Sequence, residues 1–127
     1  MTPNVQWTLP VPSTALLDGG PIFEKRLGRE VALRFSYEFD DDTTRAATLV
    51  FKGVEAFRCT YYQARDASLL EGYDKLVDRG SSAWLEELSG ILRKNGSDAQ
   101  GLVHLMINFD DGPAYEVICR SFRIDDQ

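Results

Sequence analysis

A chain of 127 residues with 20 Asp+Glu against 14 Lys+Arg, a net charge of −6 and a pI near 4.7 has the size of one ordinary domain. Its charge balance argues against partners bound through phosphate contacts, whether nucleic acid or anionic lipid. The 43% hydrophobic and 11% aromatic content is that of a folded globule, and no apolar run approaches the ~20 residues needed to cross a bilayer.

The start, MTPNVQWTLPVPSTALLDGG, lacks the basic stretch and continuous apolar run of a secretory signal, so a cytoplasmic protein is expected. The pattern is read as a single domain over 1–127. Residues 1–29 form an N-terminal arm or strand: VQWTL suits a short strand, Pro10 and Pro12 keep the chain extended, and Asp18-Gly19-Gly20-Pro21 is a turn signal. From Glu30 the period is two. Val31, Leu33, Phe35, Tyr37 and Phe39 alternate with mostly polar neighbours, as in a strand with one buried face. After an Asp-rich turn, β-branched and aromatic residues carry strands to residue 63, with a bulge or bend at Gly53 separating 45–52 from 54–63.

Helical spacing follows over 66–94. Leu69, Leu70, Tyr73, Leu76 and Val77 define one apolar helix face, and Trp84, Leu85, Leu88, Ile91 and Leu92 define a second. Gly80 would end the first helix, Ser81 or Ser82 would cap the second, and Arg93, Lys94 and Asn95-Gly96 would end it. A hairpin over 102–124 closes the chain. Its return strand changes phase between Cys119 and Phe122, which a bulge at Arg120-Ser121 would absorb. Strands, two helices and strands predict an α+β fold: an antiparallel sheet of two hairpins plus extra strands, with the two consecutive helices between them packed on the sheet.

Chemistry-bearing residues are few. Phe-Asp-Asp occurs twice, at 39–41 and 109–111. Asp40, Asp41, Asp42, Asp110 and Asp111 could offer hard oxygen ligands to Ca²⁺ or Mg²⁺, but neither run has the alternate spacing of a calcium loop. Asp favours such corners because its side chain bonds nearby backbone N–H groups, so both runs are read as hairpin turns. The single histidine, His104, with Cys59 and Cys119 would make a zinc site or a Cys–His pair only if the fold united them, and no zinc-ligand spacing supports it. Alternation places His104 on the wet face of its strand. The two cysteines are read as reduced small hydrophobes. Glu38 and Glu116 sit mid-strand and are read as solvent-side residues rather than a carboxylate pair. No serine elbow, phosphate loop, dinucleotide fingerprint or H-E-x-x-H occurs, and neither a catalytic residue nor a cofactor is expected. Strand aromatics are dense, and of the adjacent Tyr61 and Tyr62 one must face outward, an expected interface anchor.

From Trp84 the chain reads WLEEL, a polar gap, then HLMINFDDGPAYEVICRSFRI. This segment resembles small uncharacterised bacterial proteins of similar length that end in a Phe-Asp-Asp hairpin, some of which serve as immunity or accessory proteins beside secreted toxins. The resemblance implies a bacterial protein and lends no catalytic residue. The function expected is a non-catalytic protein-interaction module, steered by its acidic charge toward a basic partner. The alternatives are a small metal- or small-molecule-binding enzyme using the Asp turns or His104, and a homodimer paired through edge strands such as 114–124.

Overall fold

A computed structural model describes residues 4–17, 20–64, 67–110 and 112–126. In it the chain forms strands β1 (Asn4–Thr8), β2 (Ile22–Arg26), β3 (Glu30–Glu38), β4 (Thr44–Lys52), β5 (Ala56–Thr60), β6 (Lys75–Asp78), β7 (Val103–Asn108), β8 (Ala114–Cys119) and β9 (Ser121–Asp126), with one α-helix, α1 (Ala83–Lys94). Five strands pair in the order β1-β6-β7-β8-β5, and four in the order β2-β3-β4-β9. Every pairing between these strands is antiparallel.

The alternation read in the sequence sets the inner faces. On β3 and β4, Val31, Leu33 and Phe35 lie opposite Phe51, Leu49 and Ala47. On β7 and β8, Leu105 and Ile107 lie opposite Val117 and Tyr115. These two faces share one apolar core, so the sheets pack face to face as a sandwich. Each fully buried Leu, Ile or Phe there contributes about 1.5–3 kcal/mol.

The structure corrects the expected α+β fold with its helix pair: the chain is mostly β, and only the second helix forms. The first span becomes a turn of 3-10 helix, Ala67–Gly72, followed by β6. Asp74 stands between them at φ 57, a left-handed conformation that ends any helix. Leu76 and Val77 are both fully buried because their strand is covered on both faces, with Leu76 in the inner core and Val77 on the outer side with Met106 and Ala114. Two adjacent buried positions mimic a helix stripe when a strand has two dry faces.

The phase change after Cys119 also has another cause than a bulge. At Arg120 the chain leaves the five-stranded sheet, to which β8 belongs, and enters the four-stranded one as β9. The chain from β4 to β5 makes the reverse crossing beside it, through Gly53. Arg120 N–H donates to the Lys52 carbonyl at 3.0 Å, and a Cβ on Gly53 (φ 65) would sit 3.1 Å from the Arg120 Cβ. The bend expected at Gly53 is therefore the point where two paired strands change sheets together.

Candidate functional site

The outer face of the five-stranded sheet carries a buried polar cluster. Glu116 and His104, one on β8 and one on β7, are each 1% exposed. Glu116 accepts from Arg58 of β5 through Nε at 2.7 Å and Nη2 at 3.2 Å, from His104 Nε2 at 2.9 Å, and from Arg79 Nη1 at 3.4 Å. A carboxylate only accepts, so His104 Nε2 carries a proton, and Nδ1 shares a hydrogen bond of 2.6 Å with the Ser82 hydroxyl. Ser82 is also the N-cap of α1, its oxygen accepting from Leu85 N–H at 3.1 Å. Trp84 stands edge-on to the His104 ring at 5.1 Å, and the Arg58 guanidinium lies 4.2 Å from the Trp84 ring centre.

Burial pushes the Glu116 carboxyl up, but the hydrogen bonds from His104 and Arg58 and the Arg58 charge outweigh it and hold it at about 2. The carboxylate is thus ionised and saturated, and both ring nitrogens of His104 are engaged. The arrangement fastens α1 to the sheet. Helix α1 has no fully buried residue of its own, so Trp84 and the Ser82–His104 hydrogen bond are prominent among its attachments.

The other notable surface is the side of the sandwich where β2 and β5 stand as edge strands, each paired with a neighbouring strand on one side only among the described residues. Phe23 of β2 bridges the two sheets, 5.0 Å from Phe57 of β5 and stacked 5.6 Å from Tyr115 of β8. Phe57 remains 42% exposed and Tyr61, just beyond β5, 73% exposed. Burial drives the Tyr115 hydroxyl up to about 12, with the nearby Cys59 and Tyr61 adding to it.

The residues singled out in the sequence are scattered. Asp40, Asp41 and Asp42 form the β3–β4 turn, where Asp41 accepts from the Thr43 backbone N–H at 3.1 Å and from its hydroxyl; those bonds hold its carboxyl below the usual value. Asp110 stands at the β7–β8 turn, where its Oδ1 accepts from the Tyr73 hydroxyl at 2.9 Å and its N–H donates to Ser13 Oγ at 2.7 Å. Asp111 lies outside the described residues, as does the side chain of Tyr62. Among the described residues no group of three His, Cys, Asp or Glu gathers as metal ligands would. His104 faces outward from its sheet, while Cys119 points into the inner core and Cys59, opposite Tyr115, projects from that same inner side. Glu38 and Glu116 belong to different sheets.

His104 and Glu116 do lie on the outer face, but that face is dry. The signal was partial: AYEVIC is rich in apolar residues at both parities, which marks a strand covered on both sides, whereas the outer positions of HLMINF hold only Met106 between His104 and Asn108. Comparison with known proteins returned no matching family model, no matching curated protein and no matching solved structure.

Proposed function

We propose that this chain is a non-catalytic protein-binding module, of the immunity or accessory kind that its C-terminal segment resembles among small bacterial proteins, docking through the β2/β5 side. One observation carries the reading. Two edge strands, each paired on one side only among the described residues, meet on one side of the sandwich, and Phe57 and Tyr61 stand exposed beside them. An open edge offers a row of backbone donors and acceptors to an extended segment, and exposed aromatic rings are the usual anchors of such contacts. The cytoplasm is its proposed compartment, in keeping with two unbridged cysteines. Among the described residues no helix is long and apolar enough to cross a membrane.

The test is affinity capture from source lysate on immobilised wild type and on the Phe57→Ser/Tyr61→Ser double variant, with folding of both checked by circular dichroism. A partner held by the wild type and lost by the variant supports the reading. Equal retention by both, or no specific protein on either, overturns it. Sedimentation of the purified protein separates a foreign partner from a second copy of the chain.

A further inference from the structure

Between the β2–β3 turn and the crossing from β4 to β5 lies an open groove of about 560 Å³. Val31, Val54 and Phe57 give it an apolar floor, and Leu27, 96% exposed at the tip of the turn, forms a lip. The turn is tied in place, since Val54 N–H donates to the Arg29 carbonyl at 2.9 Å.

The rim is cationic. Lys25, Arg26 and Arg29 all line it. Of the two carboxylates that line it, Glu55 has a side chain only 6% exposed and doubly neutralised, by Arg29 at 2.8 Å and Arg120 at 3.3 Å. Glu30 is the other, and Arg26 is engaged with Glu24 at 3.1 Å. Lys25 enters no ion pair among the described residues. A chain of net charge −6 therefore presents an apolar groove with a positive rim, opposite in sign to what the whole-chain charge suggests.

We infer that this groove seats a large apolar side chain of an extended partner segment, flanked there by acidic residues that meet Lys25 and Arg29. The inference rests on the protein-binding reading and names the chemistry of the partner. A polypeptide fits better than a lipid or other small amphiphile. The groove runs through Phe57 into the β2/β5 side, where two sheet edges offer, among the described residues, a row of backbone groups that another backbone can meet in register.

The probe is a displayed library of random short peptides, selected on the wild-type protein. Enriched peptides should carry a large apolar residue beside Asp or Glu and should lose affinity as salt rises. Two surface variants then test the groove. Lys25→Glu should weaken the selected peptides about three- to fivefold, as expected for one exposed charge contact. Leu27→Asp should weaken them about tenfold or more, because an apolar lip becomes a repelling carboxylate. Neither side chain supports the core, so both variants should fold.

Enrichment of basic peptides, or peptides that bind both variants as well as the wild type, overturns the groove while leaving the protein-binding reading standing. No enrichment at all overturns the inference too. A concentration-dependent dimer that Leu27→Asp abolishes would make the occupant a second copy of this chain and would overturn it as stated.

Discussion

Replacing Glu116 with Gln removes one charge from the buried cluster without changing its shape. In the folded protein the carboxyl titrates near 2, against an ordinary value of 4.5. That difference, at about 1.4 kcal/mol per pH unit, makes the ionised form worth roughly 3 kcal/mol to the fold. The side chain is 1% exposed, so solvent screens little of it. The sign follows from the depressed value: the contribution is complete above about pH 4.5 and fades as pH falls toward 2. Gln also turns amide hydrogens toward Arg58 or Arg79, which are donors only. The Glu116→Gln variant should therefore lose about 3 kcal/mol near pH 7, and the gap to the wild type should close to within about 1 kcal/mol near pH 2. Denaturant unfolding followed by tryptophan fluorescence across that range measures both. A loss below about 1 kcal/mol near neutrality, or a gap that stays constant with pH, would refute the assignment of Glu116 as an ionised buried anchor.

Ser82→Ala removes the cap of α1 and leaves His104 Nδ1 without its hydrogen-bond partner, and should cost about 2 kcal/mol, with Ser82→Thr recovering most of it; thermal unfolding checks both. Gly53→Ala puts a side chain at φ 65 and against Arg120, so a loss of at least about 1 kcal/mol is expected by denaturant titration, and a neutral result would mean that the two crossing strands yield readily. Burial raises the Cys119 thiol to about 12 and moves the exposed Cys59 thiol in the same direction. Alkylation of the folded protein near pH 8, read by mass spectrometry, should modify Cys59 more slowly than a free small thiol and leave Cys119 untouched until unfolding; rapid labelling of Cys119 would contradict its burial.

Local chemistry wrote the strands plainly. The two-residue periods of β3 and β7 and the β-branched run of β4 set the long strands, and Ser82 with Arg93 and Lys94 marked the ends of α1. What stayed illegible was tertiary. Leu76 and Val77 are buried together by two separate layers, a fact no local window holds, and so a strand read as a helix. The break after Cys119 read as a bulge because periodicity registers a change of phase and cannot say that the strand has changed sheets. His104 and Glu116 lie 12 positions apart and become partners only through the β7–β8 register, where His104 faces Ile118 and Met106 faces Glu116. Arg58 and Arg79 join them from far along the chain, so the cluster had no sequence signature as a unit.

The two Phe-Asp-Asp corners and the cationic groove stand at opposite ends of the same strands. Strand β3 begins at Glu30 beside the groove and ends at Glu38 beside the Asp40–Asp42 turn, nine residues that span roughly 30 Å. The Asp110 corner closes the same end, since Phe109 lies 6.4 Å from Phe35 in the second half of β3. At physiological salt the screening length is about 8 Å, so charges at one end contribute little to the field at the other. The net charge of −6 then describes neither end. An acidic partner segment meets the Lys25–Arg29 rim on its local sign and is turned away from the Asp40–Asp42 end, which fixes the direction of approach. The repeated tripeptide thus gains a consequence without forming a site. Its two copies close different turns, one through Thr43 and one through Tyr73 and Ser13, and among the described residues they set Asp40, Asp41, Asp42 and Asp110 at the far end from the proposed groove.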